Sequence, residues 1–273
     1  MVKKLYKHEF AAWLRVILFF WAAPLLTGTI NRIVQIFEND SIIYNILLVS
    51  SFILYGISIL ICLAVPTFFG IVRFYKNFFT GEGYLTFTLP ATKKQLLFVK
   101  ISTAVCFSVI SFLVCVLSGL IVMAGEVLVE VSKVMPYLLM DVTANDMLHL
   151  NVMVVEYLLW MVIATASGHF FYYLCICIGQ LFKKNRILAA VGVYFAFYMI
   201  TQVLSTVFTV VISILAETGA LNQLIENLDN LYQNHTIAMF HATLWVGIVV
   251  TAVGVLIQWS VCHWVIHKKL NLE

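Results

Sequence analysis

The sequence predicts an all-α fold: a polytopic membrane helix bundle of six transmembrane helices with both termini in the cytoplasm. An N-terminal interfacial helix and short outer-face helices between spans five and six complete it. Composition is the first observation behind this. Hydrophobic residues make up 63% of the 273-residue chain and its mean hydropathy is +1.01, whereas soluble domains hold about 45–50% apolar residues. Charge placement is the second. Lys3, Lys4, Lys7 and Arg15 lie at the first apolar run; Arg73, Lys76, Lys93, Lys94 and Lys100 fill the second gap. Lys183, Lys184 and Arg186 fill the fourth, and Lys268 and Lys269 follow the last run. The other gaps hold Glu38, Asp40, Glu126, Glu130, Asp141, Asp146, Glu217, Glu226 and Asp229, with only Arg32 and Lys133 as cations. Alternation of this kind sets orientation by the positive-inside rule.

Each element follows from its pattern. Over residues 1–13, Val2, Tyr6, Phe10 and Trp13 recur at helical spacing opposite Lys3, Lys4, Lys7 and His8, which predicts a helix lying on anionic lipid. The spans are read as Leu14–Ile30, Ile42–Gly70, Ile101–Gly125, Val152–Phe182, Ile187–Leu215 and Ala242–Ile266. Each is near or above the roughly 20 residues that a bilayer core of about 30 Å demands. Pro24 and Pro66 interrupt spans one and two and are expected to kink them. The six tryptophans fall mostly toward span ends, as interfacial anchors do. Small residues four apart (Ala164 and Gly168, Gly192 and Ala196, Thr243, Gly247 and Thr251) permit close helix approach.

The outward loops are 126–151 and 216–241. In the first, Val127, Val131, Val134, Met135, Leu138 and Leu139 form a stripe on which span three can continue outward. In the second, Leu221, Leu224, Ile225, Leu228, Leu231 and Tyr232 predict a short amphipathic helix. The whole, residues 1–273, reads as one integral membrane domain.

Several chemistries are set aside. No G-x-x-x-x-G-K-[ST], H-E-x-x-H or G-x-S-x-G occurs. The six cysteines lie in apolar runs and predict no disulfide. His263 and His267 stand four apart on span six but lack carboxylate or cysteine support, so no metal is assigned. The net charge of +3 follows from membrane orientation and implies no nucleic acid. Glu156 and His169 are the polar residues placed to face a pathway. Glu156 lies near the outer boundary, so it reads either as an interfacial acid or as a pathway carboxylate.

The cytoplasmic loop 71–100 carries the most information. It is rich in aromatic and aliphatic residues, which a solvated connector would not be. A short helix is predicted from about Gly81 to Leu89, then a break at Pro90. Thr92 and Gln95 then form a capping box that opens the helix into span three. The order Glu82, Gly83, Leu85, Leu89, Pro90, Thr92, Lys100 resembles the first cytoplasmic loop of type-2 ABC transporter permeases, and the Lys268–Leu272 ending is similar to that of many Gram-positive permeases.

The resemblance implies a permease subunit of an ATP-driven exporter in the plasma membrane. It implies a separate nucleotide-binding ATPase docked at Glu82, Gly83, Tyr84, Leu85, Thr92, Lys93, Lys94 and Gln95. A second permease subunit, identical or related, would complete the pathway, with membrane lipid around it. On this reading the chain is a transport subunit, not an enzyme, and carries no cofactor. The alternatives are a non-transporting membrane sensor or assembly protein, and an ion-coupled carrier. The near absence of charge in spans two, three, five and six weighs against the carrier.

Overall fold

In an apolar solvent a backbone must satisfy its own hydrogen bonds, and a helix does so within one segment. The long apolar runs accordingly become helices. The computed structural model describes residues 2–37, 39–88, 91–125, 129–134, 144–182, 184–219, 222–223, 226–227 and 236–268; side chains of 84–87, 144–147, 236 and 268 are left aside. Seven helices are labelled here: α1 Val2–Ile36, α2 Ile42–Phe79, α3 Gly81–Thr88, α4 Lys93–Met123, α5 Ala144–Gly179, α6 Arg186–Glu217 and α7 Thr236–Lys268. No strand occurs among the described residues. Six of the helices, all but α3, are long and apolar enough to cross a membrane.

The chain forms two compact units, Met1–Asp146 and Met147–Asn271. In the first, α1 and α4 run parallel and α2 runs antiparallel to both. The buried residues of α1 (Glu9, Trp13, Ile17, Pro24, Gly28 and Asn31) recur every three, four or seven positions and so form one stripe. Those of α2 (Ser51, Tyr55, Ser58, Cys62, Pro66, Gly70, Phe74 and Phe78) do the same. Trp13, Ile17, Ala104 and Phe107 form a buried hydrophobic cluster. Hydroxyls and amides join the helices: Trp21 Nε1 donates to Ser111 Oγ at 2.8 Å, Asn31 Nδ2 donates to Ser51 Oγ at 2.8 Å, and Thr27 and Ser58 share a hydrogen bond of 2.8 Å. Such bonds, individually about 0.6 kcal/mol in membrane helices, fix register more than they add stability.

In the second unit α5 and α7 run parallel. Trp160 Nε1 donates to Thr251 Oγ1 at 3.2 Å, and Ser167 Oγ donates to Gln258 Oε1 at 3.5 Å. Helix α6 returns beside α5, with Tyr172 and Tyr194 stacked at 6.0 Å. At the α5–α6 turn, Gly179 meets Ala190 so closely that a Cβ on Gly179 would fall 2.7 Å from the Ala190 backbone.

Several expectations change. Residues 2–13 are not a separate interfacial helix; they are the first turns of a continuous α1. The stripe Tyr6, Phe10, Trp13 faces protein rather than lipid: Trp13 is 1% exposed and packs on Phe69 and Phe107, and Tyr6 hydrogen-bonds Ser102 of α4. Pro24 and Pro66 lie, as read, inside the helices of spans one and two. Span three does not run on through the first outward loop: α4 ends at Met123, and Gly125 takes φ +123° before residues 129–134 resume as helix. Trp21, Trp160 and Trp245, read as anchors, spend their N–H groups on bonds inside the units. Of the small-residue motifs, Gly247 lies against Trp160, whereas a Cβ on Gly168 or Gly192 would meet nothing within 4 Å. The stripe residues Val127, Met135, Leu138 and Leu139 and most of the amphipathic segment 218–233 lie outside the described residues.

Candidate functional site

The loop between α2 and α4 is shorter than its sequence suggests, because both helices extend into it. Helix α2 persists to Phe79, carrying Arg73 and Lys76, and α4 begins at Lys93, carrying Lys100. Between them Thr80 adopts an extended backbone and its Oγ1 donates to the Lys76 carbonyl at 2.6 Å. The Gly83 N–H then donates to the Thr80 carbonyl at 2.8 Å. Helix α3 starts here and packs back on α2. It can do so because Gly83 has no side chain: a Cβ there would lie 2.9 Å from the Phe78 carbonyl oxygen. Backbone cannot yield as a side-chain tip can. Gly83→Ala is therefore expected to lift α3 off α2 at a local cost of about 1–3 kcal/mol, visible as faster amide exchange confined to residues 81–88.

The start of α4 is fixed by the predicted capping box. Gln95 N–H donates to Thr92 Oγ1 at 3.3 Å and Thr92 N–H donates to Gln95 Oε1 at 3.1 Å. Leu96 and Leu97, which follow directly, are buried and anchor this turn. Among the predicted contact residues, Glu82, Thr92, Lys94 and Gln95 are exposed and Lys93 is half-buried. Gly83 is buried and positions the helix. Tyr84 and Leu85 lie on α3, and their side chains are among those left aside. Leu89 and Pro90 lie outside the described residues.

Directly behind this loop sits a buried charge cluster that joins three helices. Glu9 of α1 is 5% exposed. Arg73 of α2 donates from Nε to Glu9 Oε2 at 2.6 Å, and Lys100 of α4 donates from Nζ to Glu9 Oε1. Asn77, with its amide oxygen turned toward α4, accepts from Lys100 Nζ at 3.0 Å while its NH2 donates to the Arg73 carbonyl at 2.8 Å. The Glu82 carboxylate of α3 is close enough for its charge to act on Lys100. Two cations thus meet one buried carboxylate. Desolvating charges is costly, so such a set persists only when each member is paired and hydrogen-bonded.

The second polar constellation lies where α5 and α7 begin. Glu156, 8% exposed, accepts from His241 Nδ1 at 2.7 Å and from Trp245 Nε1 at 2.8 Å. His149 stands beside it, its ring 5.5 Å from that of His241. The structure does not bring Glu156 and His169 together. His169 is 3% exposed and lies by Tyr173, thirteen positions along α5, or roughly 20 Å of helix. No group of three or more His, Cys, Asp or Glu side chains is arranged to hold a metal among the described residues.

Sequence reasoning missed Glu9, assigned Arg73 only to orientation, and read Lys100 as an orientation charge and as the lysine of the permease-like loop order. One signal was present: Glu9 is the sole acid among the first 37 residues, at the helical spacing of Trp13 and Ile17. His241 and Trp245 carried no local signal, since their partner lies 85 and 89 positions away. No family model, no curated protein and no solved structure matches the chain.

Proposed function

We propose that this chain is the membrane-spanning permease subunit of a type-2 ABC exporter, set in a bacterial plasma membrane with both termini in the cytoplasm. The observation that carries the proposal is α3, a short helix held between the ends of two long ones, with Glu82, Thr92, Lys94 and Gln95 exposed around it. A separate cytoplasmic nucleotide-binding ATPase grips this loop. Its motion reaches α2 through the Gly83–Phe78 backbone contact, and the Arg73–Glu9–Lys100 cluster ties α2 to α1 and α4. Six spans supply half a pathway, and a second permease subunit supplies the other half.

Two measurements test this. Deleting residues 81–95 is expected to abolish pull-down of a co-expressed ATPase subunit while the chain still inserts; undiminished pull-down would refute the docking site. A cysteine at Lys93, in a background without the six native cysteines, is expected to react with an impermeant thiol reagent only in inside-out vesicles. Labelling from outside intact cells would reverse the topology and end the proposal.

One observation favours a second reading. A buried Glu156–His241 pair is the kind of intramembrane acid that ion-coupled carriers use. Transport driven by an ion gradient in vesicles without ATP would select that reading over the first.

A further inference from the structure

The Glu156 constellation has an unfilled position. A carboxylate only accepts hydrogen bonds, so the proton of the 2.7 Å contact sits on His241 Nδ1. That leaves a lone pair on Nε2. This atom is buried and has no hydrogen-bond partner among the described residues. A buried unsatisfied polar atom costs about 1–3 kcal/mol. What the atom lacks is a cation or a donor. A histidine whose one ring nitrogen is held by a carboxylate is fixed in tautomer and ring orientation, the arrangement that orients imidazole toward a metal.

The neighbour supplies a second ligand of the same kind. The His149 and His241 rings lie 5.5 Å apart and inclined by 57°, neither stacked nor clashing. Two imidazoles sharing one ion, at Zn–N distances of about 2.0–2.1 Å and near-tetrahedral angles, hold their ring centres roughly 5 Å apart. His149 is half-buried and His241 largely buried. The Glu156 charge would offset part of the ion's own.

We propose that His241 Nε2 and His149 bind one divalent transition-metal ion of the zinc–copper class, with Glu156 as the residue that positions His241. The rival pair, His263 and His267, also brings two rings within 5.8 Å. There, however, His267 is exposed at the end of α7 and is followed directly by Lys268, whose charge opposes a bound cation. The site stands independently of the transport proposal: either could fail without the other.

Copper(II) alone, at one equivalent on the purified full chain in detergent, tests it by electron paramagnetic resonance. The expected spectrum carries nitrogen couplings from two imidazoles. His149→Ala and His241→Ala should each remove one and weaken binding at least tenfold. Glu156→Gln should keep both couplings and weaken binding by about 10–100-fold. His263→Ala combined with His267→Ala should change nothing. Two-imidazole couplings that survive both His149→Ala and His241→Ala, or that vanish in the His263–His267 variant, would overturn the assignment. So would the absence of bound copper. If His241→Ala fails to fold, the half-buried His149→Ala decides the question alone.

Discussion

Replacing Glu9 with alanine is expected to cost about 3–5 kcal/mol, seen as a large fall in the apparent melting temperature of the detergent-purified chain. Alanine removes the acceptor for two cations at once. Lys100 is 5% exposed and has no route to water short of pulling α4 away from α1; Arg73, with a quarter of its side chain exposed, can partly escape. The loss should therefore be mainly the penalty of a stranded lysine. A thermodynamic cycle checks this. Glu9→Gln and Lys100→Met together should destabilise less than the sum of the two singles, with a coupling of about 0.5–3 kcal/mol. Additive losses would mean that the two side chains act independently.

Trp13→Ala is the second expected large effect, about 3–5 kcal/mol on the same measurement. Trp13 stands one turn beyond Glu9 on the same stripe, edge-on to Phe69 of α2 at 5.0 Å and stacked on Phe107 of α4 at 5.2 Å. Removing it empties the junction of three helices. Trp13→Phe should recover most of the loss, because ring packing and not hydrogen bonding fills this position. An alanine variant of unchanged stability would place Trp13 at the lipid surface, as interfacial anchoring demands.

The helices of this fold were legible because each rests on local information. An apolar run of 20 or more residues has few alternatives to a helix, and the Thr92–Gln95 box needs only four consecutive residues to form. Helix α3, predicted from Gly81 to about Leu89, is found at Gly81–Thr88. What stayed illegible is what depends on distant segments. Tyr6, Phe10 and Trp13 show the same helical period whether lipid or protein covers them, so periodicity could not tell an interfacial helix from the first turns of α1. The candidate loop was legible as exposed polar residues around a short helix. The cluster behind it was not, because Arg73 and Lys100 look like ordinary orientation charges until Glu9 is set between them. Glu156 was left between an interfacial acid and a pathway carboxylate for the same reason; its partners lie on another helix.

The order in which Glu9 meets its partners has a consequence for biogenesis. Arg73 emerges 64 residues after it and Lys100 emerges 91 residues after it. At about 5–20 residues per second, a nascent chain holds this acid without its lysine for roughly 5–20 s. Through the last part of that interval Arg73 alone can answer the carboxylate, so the seat of the first helix is completed only when the lysine of the fourth helix arrives.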